Sequence, residues 1–208
     1  MRGLILQLDP SLVSVVVSVQ TWSSSVERCI ESVVAQSHPN LEMIVAATPA
    51  CSPALSSRLS AIPSSLSRAC LVEGSPKASI GSLRNLGFMA SRAEYVFVLD
   101  SQWIIYPRAL ARLAELSQRT GSAVIYSQMV LSVASARLGT ADVWAQEYFD
   151  RGDYIGSVAL IRRSAWSIAG GYDERGTTPE YDLLRKFIGL GLEGVFIPEI
   201  LVSHIDAA

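Results

Sequence analysis

The chain has 208 residues, half of them apolar and 17% charged, with a formal net charge of -2. That composition can close a substantial core and excludes an intrinsically disordered chain, while a near-neutral balance without a basic block argues against a partner held through nucleic-acid phosphates. Its three cysteines, Cys29, Cys51 and Cys70, have no metal-ligand spacing and read as buried or incidental thiols in a reducing compartment.

Residues 1–10 are too short and too polar for a signal peptide, and no apolar run approaches the roughly 18 residues a membrane helix needs. A soluble, cytoplasmic protein is therefore expected. Val13 to Val19 is β-branched and almost free of polar residues, as in a strand buried on both faces. Ser23 to Ser25 precede a helix that places Val26, Ile30, Val33 and Val34 on one face. Pro39-Asn40 breaks that pattern, and Leu41 to Ala47 reads as a second buried strand. The Ser- and Pro-rich stretch from Cys51 to Ser67 predicts a short helix with loose ends, followed by a strand from Cys70 to Glu73. Ser79 to Ser91 predicts a helix with Ile80, Leu83, Leu86 and Gly87 inward, leading to a strand from Tyr95 that closes on Leu99-Asp100.

Beyond Pro107 a regular helix is expected to about Thr120, with Gly121 at its stop. Ala123 to Ser132 and Gly156 to Ile161 read as strands, and Ala141 to Phe149 as a short helix. Arg163 to Ala169 predicts a short helix closed by Gly170-Gly171. Glu180 to Leu190 predicts a helix ending at Gly191, before a last strand over Gly194 to Ile197. Strands alternating with helices imply a three-layer α/β/α sandwich around a mostly parallel sheet, in one domain spanning 1–208. Ligands of such sheets sit beyond the carboxyl ends of the strands, which puts Asp100 at the mouth.

The run Val26-Glu27-Arg28-Cys29-Ile30-Glu31-Ser32-Val33-Val34-Ala35-Gln36-Ser37-His38-Pro39-Asn40-Leu41-Glu42, then Leu83-Arg84-Asn85-Leu86-Gly87, the strand closing at Asp100, and Gly170-Gly171-Tyr172-Asp173-Glu174 stand in a specific order. In that order they resemble the family 2 glycosyltransferases, over nearly the whole chain. The resemblance implies a GT-A fold of the nucleotide-diphospho-sugar transferase type. It also implies a nucleotide-sugar donor, a carbohydrate or other hydroxyl acceptor, and a divalent metal, manganese or magnesium. The departures fall in the ligand mouth. Where the family carries Asp-Asp-Gly-Ser after its second strand, this chain has Ala47-Thr48-Pro49-Ala50. Where the family continues Asp-x-Asp after its central strand, Gln102 and Trp103 follow Asp100. The family's Glu-Asp pair, whose Asp is the base, aligns with Pro179-Glu180.

Sugar transfer with inversion needs a base for the acceptor proton and positive charge for the leaving diphosphate. On the resemblance, Glu180 is the candidate base. Gln20, Thr48, Arg84, Asp100 and Gln102 are the candidate nucleotide contacts, and Asp100 with His204 the candidate metal ligands. Lys77 is a further cation to weigh. Each has a structural alternative: Glu180 as a helix N-terminal acid, Arg84 as half of a surface pair, Asp100 as a turn cap, His204 as a packed histidine. The depleted acids keep a second function open, a non-catalytic glycosyltransferase-like module that binds a partner or a sugar. An oligomer or a partner subunit supplying missing groups is compatible with either. Nucleotidyl transfer is disfavoured, since no glycine-rich basic loop follows the first strand.

Overall fold

The computed structural model describes residues 11–62, 65–132, 134–135 and 137–205. The segment 1–10, on which the signal-peptide expectation above falls, lies outside them. Among the described residues no helix is long and apolar enough to cross a membrane.

The first half builds a parallel block. Strands β1 (Val13–Val19), β2 (Leu41–Ala47), β3 (Arg68–Glu73) and β4 (Tyr95–Asp100) lie in the order β3-β2-β1-β4, all parallel. Helices α1 (Ser24–Val34), α2 (Ser52–Ser60) and α3 (Ile80–Ala90) make the crossovers. β1, β2 and all but the last residue of β4 are buried, because they are covered on both faces. Alternation then sorts their side chains. Val13, Val15, Val17 and Val19 pack with α1 and α2 on one face, while Val16 packs with Phe88 of α3 on the other. Gly87 makes that second packing close: a Cβ there would overlap the Val16 methyl groups.

The second half extends the sheet with mixed pairings. β5 (Trp103–Ile105) and α4 (Ala109–Thr120) follow β4; then come β6 (Val124–Ser132), β7 (Arg137–Leu138), α5 (Gln146–Phe149), β8 (Ala159–Arg162), α6 (Arg163–Ile168), α7 (Pro179–Gly189) and β9 (Gly194–His204). β8 joins β4 antiparallel, and the order continues β8-β6-β9-β5, with β7 beside β6. α4 completes the layer of α1 and α2, while α5, α6 and α7 share the α3 side. The three-layer α/β/α arrangement follows from the sequence pattern.

Several elements differ from expectation. The short Trp103-Ile104-Ile105 run is a strand, held against β9 rather than by any periodicity of its own. β9 continues past Pro198 to His204: its register with β6 shifts between Ser127 and Gln128, so Pro198, which has no N–H to donate, falls in the irregularity. β8 begins at Ala159 instead of Gly156, and of the stretch from Ala141 only Gln146–Phe149 is helical.

Candidate active site

The site starts from two residues placed by register. Ser18 and Asp100 are partners across the β1–β4 pair at its carboxyl end, and the Ser18 hydroxyl donates to Asp100 Oδ1 at 3.2 Å. Helix α3 supplies the third member. Ser79 caps this helix by accepting from the Ser82 N–H at 3.1 Å. One turn on, Arg84 points into the protein and donates from Nη2 to the same Asp100 oxygen at 2.7 Å. Its Nη1 forms an ion pair with Glu180 on the first turn of α7. Glu180 reaches it because Gly81, three residues before Arg84 on the same helix face, leaves room for the Asp173 carbonyl and Pro179; a Cβ would collide with that carbonyl.

One guanidinium therefore bridges two carboxylates. The Arg84 side chain is 0% exposed, against 24% for Asp100 and 20% for Glu180. Nε and Nη1 of Arg84 have no hydrogen-bond acceptor, the tie to Glu180 being a charge contact alone. The Tyr172 ring covers the guanidinium at 5.3 Å. Burial would push the Arg84 pKa down, but Asp100, Tyr172 and Glu180 together hold it above the ordinary value. Burial likewise pushes the Tyr172 phenol up, against the pull of Arg84. Behind β4, the Cys29 thiol faces the Asp100 carbonyl, and burial followed by the Asp100 charge pushes its pKa up, so it stays a neutral thiol.

Asn85 explains the neighbouring turn. Its Oδ1 accepts from Tyr172 N at 2.9 Å and Trp166 Nε1 at 3.1 Å, while its Nδ2 donates to Tyr172 O and Glu174 Oε1. Gly170 and Gly171 both take positive φ in this turn, a conformation glycine adopts without a Cβ penalty. Successive residues of α3 thus do separate work: Arg84 joins the carboxylates, and Asn85 fixes the turn that carries Tyr172.

A cleft of about 450 Å³ opens beyond β1 and β4, lined by Ser18, Gln20, Thr21, Ser23, Ile80, Asp100, Ser101 and Gln102. Gln20, Asp100 and Gln102 thus line one mouth, together with Ser18, Thr21, Ser23, Ile80 and Ser101. Thr48 stands behind the wall: it is buried, and its hydroxyl donates to the Gln20 carbonyl at 2.9 Å. Arg84 is a correction of the same kind, since a fully buried guanidinium spent on two carboxylates does not reach a ligand in this conformation. Glu180 lines a separate hollow of about 10 Å³ with Gly156, Ser157 and Tyr172. Lys77 is exposed and does not line the cleft.

The residues do not fit a divalent cation held by this chain. Asp100 Oδ1 is already engaged by Arg84 and Ser18, and Gln102 offers only a neutral amide. The His204 ring lies edge-on to Trp103, 5.1 Å between centroids, and is not part of the cleft wall. Among the described residues no three His, Cys, Asp or Glu side chains come together as a ligand set.

A polar cleft at the carboxyl ends of the parallel strands stands where open α/β sheets take their ligands. Residues 14–167 match Glycosyl transferase family 2, and the chain belongs to that family. Solved structures agree on the fold. TarS from S. aureus in complex with UDP-GlcNAc superposes with a TM-score of 0.74 at 12% identity, over 94% of this chain and 61% of that one. The mannosyltransferase PcManGT from Pyrobaculum calidifontis, in complex with GDP-Man and Mn2+, gives 0.71 at 14% identity, over 94% and 57%. The chain thus spans less than two thirds of the length of either. No curated protein matches it.

Proposed function

We propose that this chain is a nucleotide-sugar-dependent glycosyltransferase that passes a sugar to an acceptor hydroxyl with inversion. The observation that supports the reading best is the meeting of Asp100 and Glu180 on one buried guanidinium, beside a cleft at the strand ends. In this reading the acceptor oxygen attacks the anomeric carbon while the bond to the leaving phosphate oxygen breaks and its electron pair departs with the phosphate. The acceptor proton passes to a Glu180 carboxylate oxygen. Arg84 acts through the carboxylates, holding Asp100 at the cleft and Glu180 in place. Incubation with a panel of UDP-, GDP- and dTDP-sugars and candidate acceptors, followed by assay of the released nucleoside diphosphate, tests it. Turnover of one donor supports the reading, and silence with every donor removes it.

A second reading has its own support. Both surviving carboxylates are bound up by Arg84, as in a scaffold that has kept its architecture and lost turnover. A non-catalytic module of this kind would bind a sugar or a partner without releasing nucleoside diphosphate. An Ala47→Asp, Gln102→Asp variant that gains nucleotide binding absent from the parent would favour it.

A further inference from the structure

We propose that the cleft beyond β1 and β4 recognises the uncharged, hydroxyl-rich rings of its ligand and binds it without a divalent cation held by this chain. The proposal rests on the donor-dependent reading above and says which part of the donor this wall grips.

The lining carries the argument. Ser18, Gln20, Thr21, Ser23, Ser101 and Gln102 are neutral side chains that can both donate and accept, the chemistry that pairs with ring hydroxyls. Asp100 is the one charged residue among the lining residues. The nearest cation, Arg84, is enclosed behind it and shared with Glu180, so one positive charge stands between two negative ones. A bare diphosphate in this mouth would face a carboxylate, with no lysine or arginine among the described residues that line it. A metal bridging the diphosphate to Asp100 would have to share a carboxylate whose Oδ1 already accepts from a guanidinium at 2.7 Å, so cation would be set close to cation. The neighbouring positions supply no second carboxylate, Gln102 being an amide and Trp103 an indole. Among the described residues Asp100 Oδ2 carries no hydrogen bond, which leaves it to accept from a ligand hydroxyl.

Isothermal titration of the intact chain with UDP-, GDP- and dTDP-sugars and with the matching nucleosides, each in excess manganese and again in EDTA, tests the proposal. The affinity for whichever sugar nucleotide binds is expected to differ by no more than about threefold between the two conditions, with the matching nucleoside within about tenfold of it. Binding seen only with manganese, or strengthened by it more than about tenfold, overturns the proposal while leaving the glycosyltransferase reading standing. Silence of every sugar nucleotide in both conditions removes that reading and the proposal with it. Gln102→Asp, an exposed change that restores a second acid beside Asp100, is expected to introduce a manganese dependence of about tenfold that the parent lacks. A variant as indifferent to manganese as its parent would show that the acid count is not what sets metal use, and would also overturn the proposal.

Discussion

Two buried charge networks sit at opposite ends of the same strands, and they are finished differently. At the amino end Glu42 of β2 is 0% exposed and accepts from its β1 partner Ser14 at 2.5 Å, from Arg92 N at 2.6 Å and from Arg92 Nε at 2.9 Å, with Arg68 at 3.5 Å. At the carboxyl end the centre is a cation, Arg84, with two partly exposed acids and two nitrogens lacking an acceptor. β1 serves both: Ser14, Val16 and Ser18 share one face, so a hydroxyl meets each network and a valine packs on Gly87 between them. A saturated network fixes strand register, whereas an incompletely satisfied one beside a cleft leaves polar groups to answer a ligand. On the proposed reading, the same sheet divides stability from function along its strands.

The sharpest way to break this division is Glu180→Gln. Turnover is expected to fall about 1000-fold, read as released nucleoside diphosphate, with the urea midpoint unmoved. A lost midpoint with retained turnover would reverse the assignment of the two ends. Glu42→Ala should do the opposite, lowering stability by about 3 kcal/mol in urea denaturation because the Ser14 hydroxyl and Arg92 N–H lose their acceptor. Ligand affinity at the cleft should be unchanged.

The pH dependence follows from the same carboxylate. Burial pushes Glu42 up, but the hydrogen bonds from Ser14 and Arg92 and the Arg92 charge outweigh it and hold the group below its ordinary value of 4.5. A depressed carboxyl stabilises the fold fully above its unfolded pKa and loses that contribution as pH falls through the folded value. The stability gap between parent and Glu42→Gln should therefore be constant above about pH 5 and close below 4.5. A gap that widened on acidification would contradict it.

Midway between the networks, Gly87→Ala drives a methyl group into Val16 and should cost about 2 kcal/mol, measured by the same denaturation. Arg84→Met should cost less stability than either core change, about 1 kcal/mol, since the apolar side chain fills the space and both acids can turn to water. Its binding of any cleft ligand should nonetheless weaken, because Asp100 loses its anchor. A loss of stability as large as that of Glu42→Ala would place Arg84 with the structural network instead.

Much of the scaffold was legible because its signals are local. β-branched runs marked β1 and β2, and Gly121 marked the end of α4, where it takes positive φ. Asp100 was readable as a strand-end acid, and it does close β4. The resemblance of Leu83-Arg84-Asn85-Leu86-Gly87 flagged Arg84 but gave it the wrong surroundings: it was expected at the ligand and lies behind the wall. Thr48 was misplaced in the same way. β5 escaped notice because three residues have no period, and its partner β9 lies far along the chain.

By itself the amino-acid order determined the layers and the first strands, since each depends on composition or spacing within a few turns of chain. Only the tertiary structure decided that Asp100 and Glu180 share a single cation and that Asp100 is the one charged group among the described residues lining its cleft. Those residues are brought together from β1, α3, β4 and α7, and the charge a carboxylate presents to a ligand is set by the neighbours that folding supplies.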